Sequence, residues 1–206
     1  MKEMWDKRYS ESKYIYGTKP NRFFKEVIAK LDVGKLLLPG EGEGRNATYA
    51  AKIGWQVDAF DYSEQAVRNA QAFLQNQDLK VNMFQASILE PWESHDFYDM
   101  VACLFLHLKS EERKKAHQFI IDALKPGGFV LLEMFSQKQL GRSTGGPQNL
   151  DLLYTLEEIM TDFKELEILS LEEVESHLDE GGLHQGDAMT IRFVGRKKKD
   201  DDILNY

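Results

Sequence analysis

Apolar positions in this chain fall into short runs and helical stripes that alternate over most of its length. Phe23, Phe24, Val27, Ile28 and Leu31 recur at three- and four-residue spacing after Pro20 and Asn21, which predicts an amphipathic helix closed by Gly34. Residues 35–38 carry three consecutive leucines and predict a buried strand. A glycine-rich turn over 40–44 and a helix over 45–53 follow, with Gly54 placed to end that helix. The unit then repeats. Residues 56–60 predict a strand, Ser63 an N-cap, and Ala66, Val67, Ala70, Phe73 and Leu74 the buried face of a second helix. Strands are predicted over 80–84 and 98–105, a helix after Ser110, a stop at Lys125-Pro126-Gly127-Gly128, and a strand over 129–135. Beyond a polar loop at 141–147, a helix over 156–163 leads into strands over 166–171 and 189–194. This order predicts an α/β fold: a doubly wound, Rossmann-like, mostly parallel seven-stranded sheet, helices on both faces, and an antiparallel C-terminal hairpin.

Composition narrows the function. The 206 residues suit one domain, with a charged, aromatic lead segment over 1–20 and a flexible tail over 196–206. The 26 Lys and Arg against 34 Asp and Glu leave a net charge of −8, which argues against gripping a nucleic-acid backbone. Cys103 is the sole cysteine, and no apolar run approaches the length of a membrane span. A cytoplasmic, soluble protein is expected, with a monomer favoured and no membrane partner. The five histidines have no metal-ligand spacing, so no metal is expected.

The turn Gly40-Glu41-Gly42-Glu43-Gly44 lies between a strand and a helix, where glycines let backbone N–H groups approach a nucleotide-like ligand. Its G-x-G-x-G spacing departs from the dinucleotide pattern, and Arg45 stands where that pattern needs its third glycine. Glu41 and Glu43 would repel a pyrophosphate and suit the ammonium and sulfonium of S-adenosylmethionine. Asp61, ending the second strand, is placed to accept hydrogen bonds from ribose hydroxyls, or else to serve as a turn residue.

Three segments resemble the successive motifs of class I methyltransferases: residues 38–47, residues 58–63 and Leu124-Lys125-Pro126-Gly127-Gly128. Trp5-Asp6-Lys7-Arg8-Tyr9, Tyr16-Gly17 with Pro20-Asn21, and Leu183-His184-Gln185-Gly186-Asp187-Ala188 are similar to the tellurite-resistance, TehB-like branch, itself distantly similar to thiopurine methyltransferases. The resemblance implies S-adenosylmethionine as cofactor. It implies that Gly40, Glu41 and Gly42 touch the methionine part, Asp61 the ribose, Tyr62 with Ala86, Ser87 and Ile88 the adenine, that Asn46 also contacts the cofactor, and that Phe105 and His107 line the site under a lid of Trp5, Tyr9 and Tyr16. Pro39 stands where many relatives end the first strand on an acid, and Ser87 where many have Asp.

His184, in a Gly-Gly-Leu-His turn, is the expected catalytic residue facing the acceptor, able to switch charge near neutral pH; a structural histidine is the alternative. His107 either lies at the functional sheet edge or caps the next helix, Arg142 either attracts an anion or is solvated, and Cys103 is expected to be a buried, inert thiol. The expected reaction is in-line methyl transfer to a small soft nucleophile such as tellurite, selenite or a thiol. A protein that binds S-adenosylmethionine without transferring methyl and a nicotinamide-dependent oxidoreductase are the competing readings.

Overall fold

The computed structural model describes residues 2–90 and 95–199. Seven strands form one sheet: β1 (Lys35–Pro39), β2 (Gln56–Asp61), β3 (Asn82–Gln85), β4 (Tyr98–Leu104), β5 (Leu124–Phe135), β6 (Glu167–Asp179) and β7 (Gln185–Arg196). Their spatial order is β3-β2-β1-β4-β5-β7-β6. The first five are parallel, while β7 pairs antiparallel with both β5 and β6. The strand order reverses between β1 and β4, so a crevice opens beyond their carboxyl ends, where doubly wound sheets bind ligands.

Alternation along the central strands divides the core into two layers. Leu36, Leu38, Met100 and Ala102 face α2 (Arg22–Ile28), α3 (Arg45–Lys52) and α4 (Glu64–Gln75), meeting Phe24, Ala47, Ala50 and Leu74. Leu37, Val101 and Cys103 face the other way, against Ala116 and Ile120 of α5 (Ser110–Ala123) and Ile159 of α6 (Leu156–Asp162). Ser63 caps α4 as its sequence position suggests, accepting from the N–H of Ala66 at 3.2 Å.

Three expectations change. The lead segment folds as a helix, α1 (Lys2–Glu11), whose weakly amphipathic sequence buries only Tyr9 fully. The hairpin arms run far past 166–171 and 189–194: β6 continues to Asp179 and β7 begins at Gln185. Apolar runs stop early because β6 is an edge strand whose exposed positions beyond Leu171 are Glu172, Glu175, His177 and Asp179. The tail expected from 196 stays ordered at first, since Arg196 ends β7 and the Lys197 ammonium donates to Asp96, Ile121 O and Leu124 O. Residues 200–206 of that tail lie outside the described residues.

A buried polar network ties the hairpin to the parallel half. Asn21, 1% exposed, caps α2 by accepting from the N–H of Phe24 at 2.8 Å. Its own N–H donates to Asn46 Oδ1 of α3 (2.8 Å), and its side-chain amide donates to Glu133 of β5 (2.6 Å) and to Glu180 beyond β6 (3.0 Å). Each carboxylate has its arginine, Arg192 on Glu133 and Arg45 on Glu180, both at 2.8 Å. Replacing Asn21 by Ala removes a cap and leaves two buried carboxylates each short of a donor. We expect Asn21→Ala to cost about 3 kcal/mol of unfolding free energy in a urea titration; a loss under about 0.5 kcal/mol, the range of an ordinary surface change, would count against the network.

Candidate functional site

The glycine turn leaves the carboxyl end of β1 at the strand-order reversal. Gly40 and Gly42 have φ of 64° and 67°, in the left-handed region that side chains disfavour. A methyl group on Gly40 would lie 2.7 Å from Leu106 Cδ1, and one on Gly42 2.9 Å from the Tyr9 hydroxyl oxygen. The backbone is therefore bare where it borders the crevice.

The two glutamates of the turn are engaged by the protein itself. Glu41 accepts from the backbone N–H groups of Asn46 and Ala47 at 2.7 and 2.8 Å and from the Asn46 side chain at 3.1 Å, closing the N-terminus of α3 from across the turn. Burial pushes its carboxyl up to about 7, against the lowering pull of those donors. Glu43 accepts from the N–H groups of Tyr14 and Ile15 and from Asn69, which fastens the lead segment to the turn. Both glutamates therefore also have a local task, because the orphan N–H groups at a helix start and a looping lead segment need acceptors. Asn46 is likewise consumed, by Glu41 and Asn21. Arg45, the bulky substitute for a third glycine, stays at the border of the crevice and donates to Glu180 and Tyr16 O.

All the expected site residues line two adjoining cavities. The larger, about 320 Å³, holds Asp61 and Tyr62 on one side, Ser87 and Ile88 on another, and shares Trp5, Tyr9, Gly40, Phe105 and His107 with the smaller. The smaller, about 60 Å³, adds Tyr16, Glu41, Gly42, Asn46 and His184. Asp61 accepts from the N–H of Gly42 (3.0 Å) and of Ser63 (2.9 Å), one on each oxygen, so each oxygen keeps a second lone pair. Burial, with Asp6 nearby, raises its carboxyl to about 6. Ser87 Oγ accepts from the N–H of Leu89 at 3.2 Å. Phe105 has φ of 54° at the end of β4, a strained conformation of the kind that gathers at binding sites.

Helix α1 covers these cavities. Trp5 stacks with Tyr9 and His107 at ring separations of 5.7 and 6.0 Å, Arg8 donates to the Tyr16 hydroxyl at 3.1 Å, and Asp6 accepts from Ser63 Oγ at 2.6 Å. His107 does not cap α5; it packs between Trp5 and Phe135, and burial drives it down to about 3, with His184 and Arg8 adding to the effect. It is a neutral wall. Cys103 is fully buried, and burial pushes its thiol far up, as an inert core residue requires.

His184, 5% exposed, contacts Tyr16, Phe105 and Phe135 at ring separations of 4.5, 5.0 and 5.3 Å, with Nδ1 3.4 Å from Glu180 Oε2. Burial lowers its basicity more than Glu180 restores it, so the charge switch near neutral pH is replaced by a neutral ring. It also lines an outer cavity of about 460 Å³ bounded by Met4, Leu152, Leu183 and Pro147 and by Arg8 and Arg142. Arg142 is paired, donating to Glu175 at 2.7 Å. Asn21, Glu180 and Glu133 were not singled out from the sequence; only the Pro20-Asn21 motif hinted at one of them. Among the described residues no group of three His, Cys, Asp or Glu is arranged to hold a metal ion, and no helix is long and apolar enough to cross a membrane.

A bare glycine turn after β1, an acid ending β2 and an antiparallel β7 define the Rossmann-like fold of class I methyltransferases. Residues 37–128 match the family model described as a methyltransferase domain, the class that uses S-adenosylmethionine. The ubiquinone biosynthesis O-methyltransferase of Rickettsia typhi is 31% identical over 111 residues, 52% of this chain and 44% of that protein. That of Rickettsia prowazekii is 32% identical over 111 residues, 52% of this chain and 42% of that protein. The chain thus spans less than half the length of these curated relatives. Among solved structures, TehB from Haemophilus influenzae aligns with a TM-score of 0.71 at 18% identity, over 96% of this chain and 67% of that one. A structure solved in work on the conversion of a disulfide bond into a thioacetal group during echinomycin biosynthesis aligns with a TM-score of 0.79 at 18% identity, over 100% and 95%. At such identities these two establish the fold.

Asp61 yields a prediction for cofactor affinity. Hydroxyl donors need its ionised form, and protonation rises as pH falls through about 6. Calorimetry with S-adenosylhomocysteine should show affinity weakening from pH 7.5 to 5, a slope that Asp61→Asn reduces to the part owed to Glu41, while Asp61→Ala costs about 10- to 100-fold in affinity at pH 7.5. Equal affinities for wild type and Asp61→Ala would exclude Asp61 from the ribose contact.

Proposed function

We propose that this protein is an S-adenosylmethionine-dependent methyltransferase whose acceptor is a small soft nucleophile, a thiol in preference to tellurite or selenite, and that it works as a cytoplasmic monomer. The observation that carries the reading is the position of His184, whose ring lines both the cavity at the glycine turn and the outer cavity. Trp5, Tyr16 and His107 border both cavities as well, but His107, driven down to about 3 by burial, is too weak a base, which leaves His184 as the imidazole suited to take a proton.

The cradle fits the cofactor on its own terms. Gly40 and Gly42 leave room for the methionine portion, Asp61 has spare lone pairs for ribose hydroxyls, and Tyr62, Ser87 and Ile88 border the space for adenine. The bound sulfonium supplies an electrophilic methyl group and a good leaving group. This chain's residues then position, desolvate and move one proton. Trp5, Tyr9 and Tyr16 exclude water and present aromatic faces to positive charge, worth about 0.5 to 2 kcal/mol. Partly ionised Glu41, next to the turn, offsets the same charge. His184 takes the acceptor's proton, which a thiol of ordinary pKa about 8.5 must lose to become a nucleophile.

The outer cavity favours an organic thiol. At about 460 Å³, with Met4, Trp5, Leu152 and Leu183 in its walls, it exceeds what an oxyanion fills. The Rickettsia proteins align with only about half of this chain, so their acceptor lends this reading no support.

A screen of thiols, selenite and tellurite with labelled methyl donor tests the proposal; label should appear on thiols, and transfer to none of the three classes would refute it. With an active thiol, His184→Ala should lower kcat about 10²-fold or more. The kcat/KM profile should fall on its acid side with an inflection below 6.5. Burial, Arg45 and Arg8 favour the neutral ring, Glu180 opposes them, and protonation removes the base. An unchanged rate in His184→Ala would withdraw its role.

A further inference from the structure

We infer that Glu180 is a positioning residue that fixes His184 as the Nδ1–H tautomer and so aims the bare Nε2 at the acceptor; this rests on the reading of His184 as the proton acceptor. Glu180 lies at the end of the β6–β7 hairpin and is 8% exposed. Its Oε2 is 2.8 Å from Arg45 and 3.4 Å from His184 Nδ1, and its Oε1 accepts from Asn21 at 3.0 Å. The guanidinium, the asparagine amide and the imidazole thus converge on one carboxylate from three elements of the fold.

Chemistry then fixes the proton. An ionised carboxylate only accepts hydrogen bonds, and Arg45 and Asn21 both present donors to it, so the ion is the form this pocket holds. Facing it, Nδ1 of a neutral imidazole must carry the hydrogen, and Nε2 across the ring must carry the lone pair. When an acceptor thiol reacts, its S–H bond breaks, the electron pair stays on sulfur and the proton passes to Nε2. The resulting imidazolium is matched by the negative charge of Glu180, as a buried acid steadies the histidine of a hydrolytic triad.

The arrangement also links the two halves of the site. Arg45 follows directly on the glycine turn, and the Glu180 backbone N–H bonds to His184 O at 2.9 Å. The carboxylate that Arg45 holds therefore sets the orientation of the histidine on the acceptor side. A purely structural role would need the ion pair and no particular tautomer.

Nitrogen NMR of the imidazole rings in the full chain, free and with S-adenosylhomocysteine, tests this directly. Wild type should show His184 protonated at Nδ1 and bare at Nε2. In Glu180→Gln, whose neutral amide offers Nδ1 either a weaker acceptor oxygen or a donor, the Nδ1–H preference should weaken with Nε2–H becoming populated, and kcat for an active thiol should fall about 10- to 100-fold because no negative charge matches the imidazolium, with S-adenosylhomocysteine affinity and acceptor KM held. Glu180→Asp, which keeps the carboxylate, should restore part of the rate. An Nε2–H tautomer in wild type overturns the inference, as does a Glu180→Gln variant with unchanged tautomer and kcat. If Glu180→Gln fails to fold, the wild-type tautomer decides. Absence of S-adenosylhomocysteine binding would refute the proposed function instead, while the tautomer in the free protein would still decide the role of Glu180.

Discussion

The side-chain amide of Asn21, donating to Glu133 and Glu180 at once, is the contact on which the shape of the site depends. Two buried carboxylates near each other are costly, and an amide between them with an arginine behind each is a way to keep both. Because Glu133 sits on β5, Glu180 at the hairpin tip and Asn46 on α3, satisfying one asparagine brings three distant stretches of chain to the same end of the sheet. The hairpin therefore delivers His184 beside the glycine turn rather than at some other point along the edge.

The glycine turn is shaped by similar constraints. Gly40 and Gly42 clear the backbone, but Glu41 holds the start of α3 and Glu43 holds Tyr14 and Ile15. The lead segment is thereby tethered to the turn by a carboxylate, and burial draws Glu41 beside it up to about 7.

Much of the fold was legible because the central strands are buried on both faces and bounded by clear punctuation: Leu36 to Leu38 before the glycines, Ser63 at a helix start, Gly127 and Gly128 after one. The places of Gly40, Gly42 and Asp61 at the cavities were legible too, since these residues sit at strand ends that short-range sequence fixes. The long hairpin was read short because β6 shows solvent glutamates in place of an apolar run. Glu180 went unremarked, and Asn21 was noted only within its motif, because their meaning lies in a contact 159 residues apart along the chain. The neutrality of His184 and His107 follows from burial among aromatic rings, which no local pattern reveals.

We propose that the bare, acid-lined turn, with Arg45 after it paired to Glu180, selects an S-adenosyl nucleoside over a pyrophosphate dinucleotide. Paired calorimetric titrations of the wild-type chain with S-adenosylhomocysteine and with NADH put that choice to the protein directly. One-to-one binding of S-adenosylhomocysteine with no heat from NADH is the predicted result; saturable NADH binding with none of S-adenosylhomocysteine would contradict it.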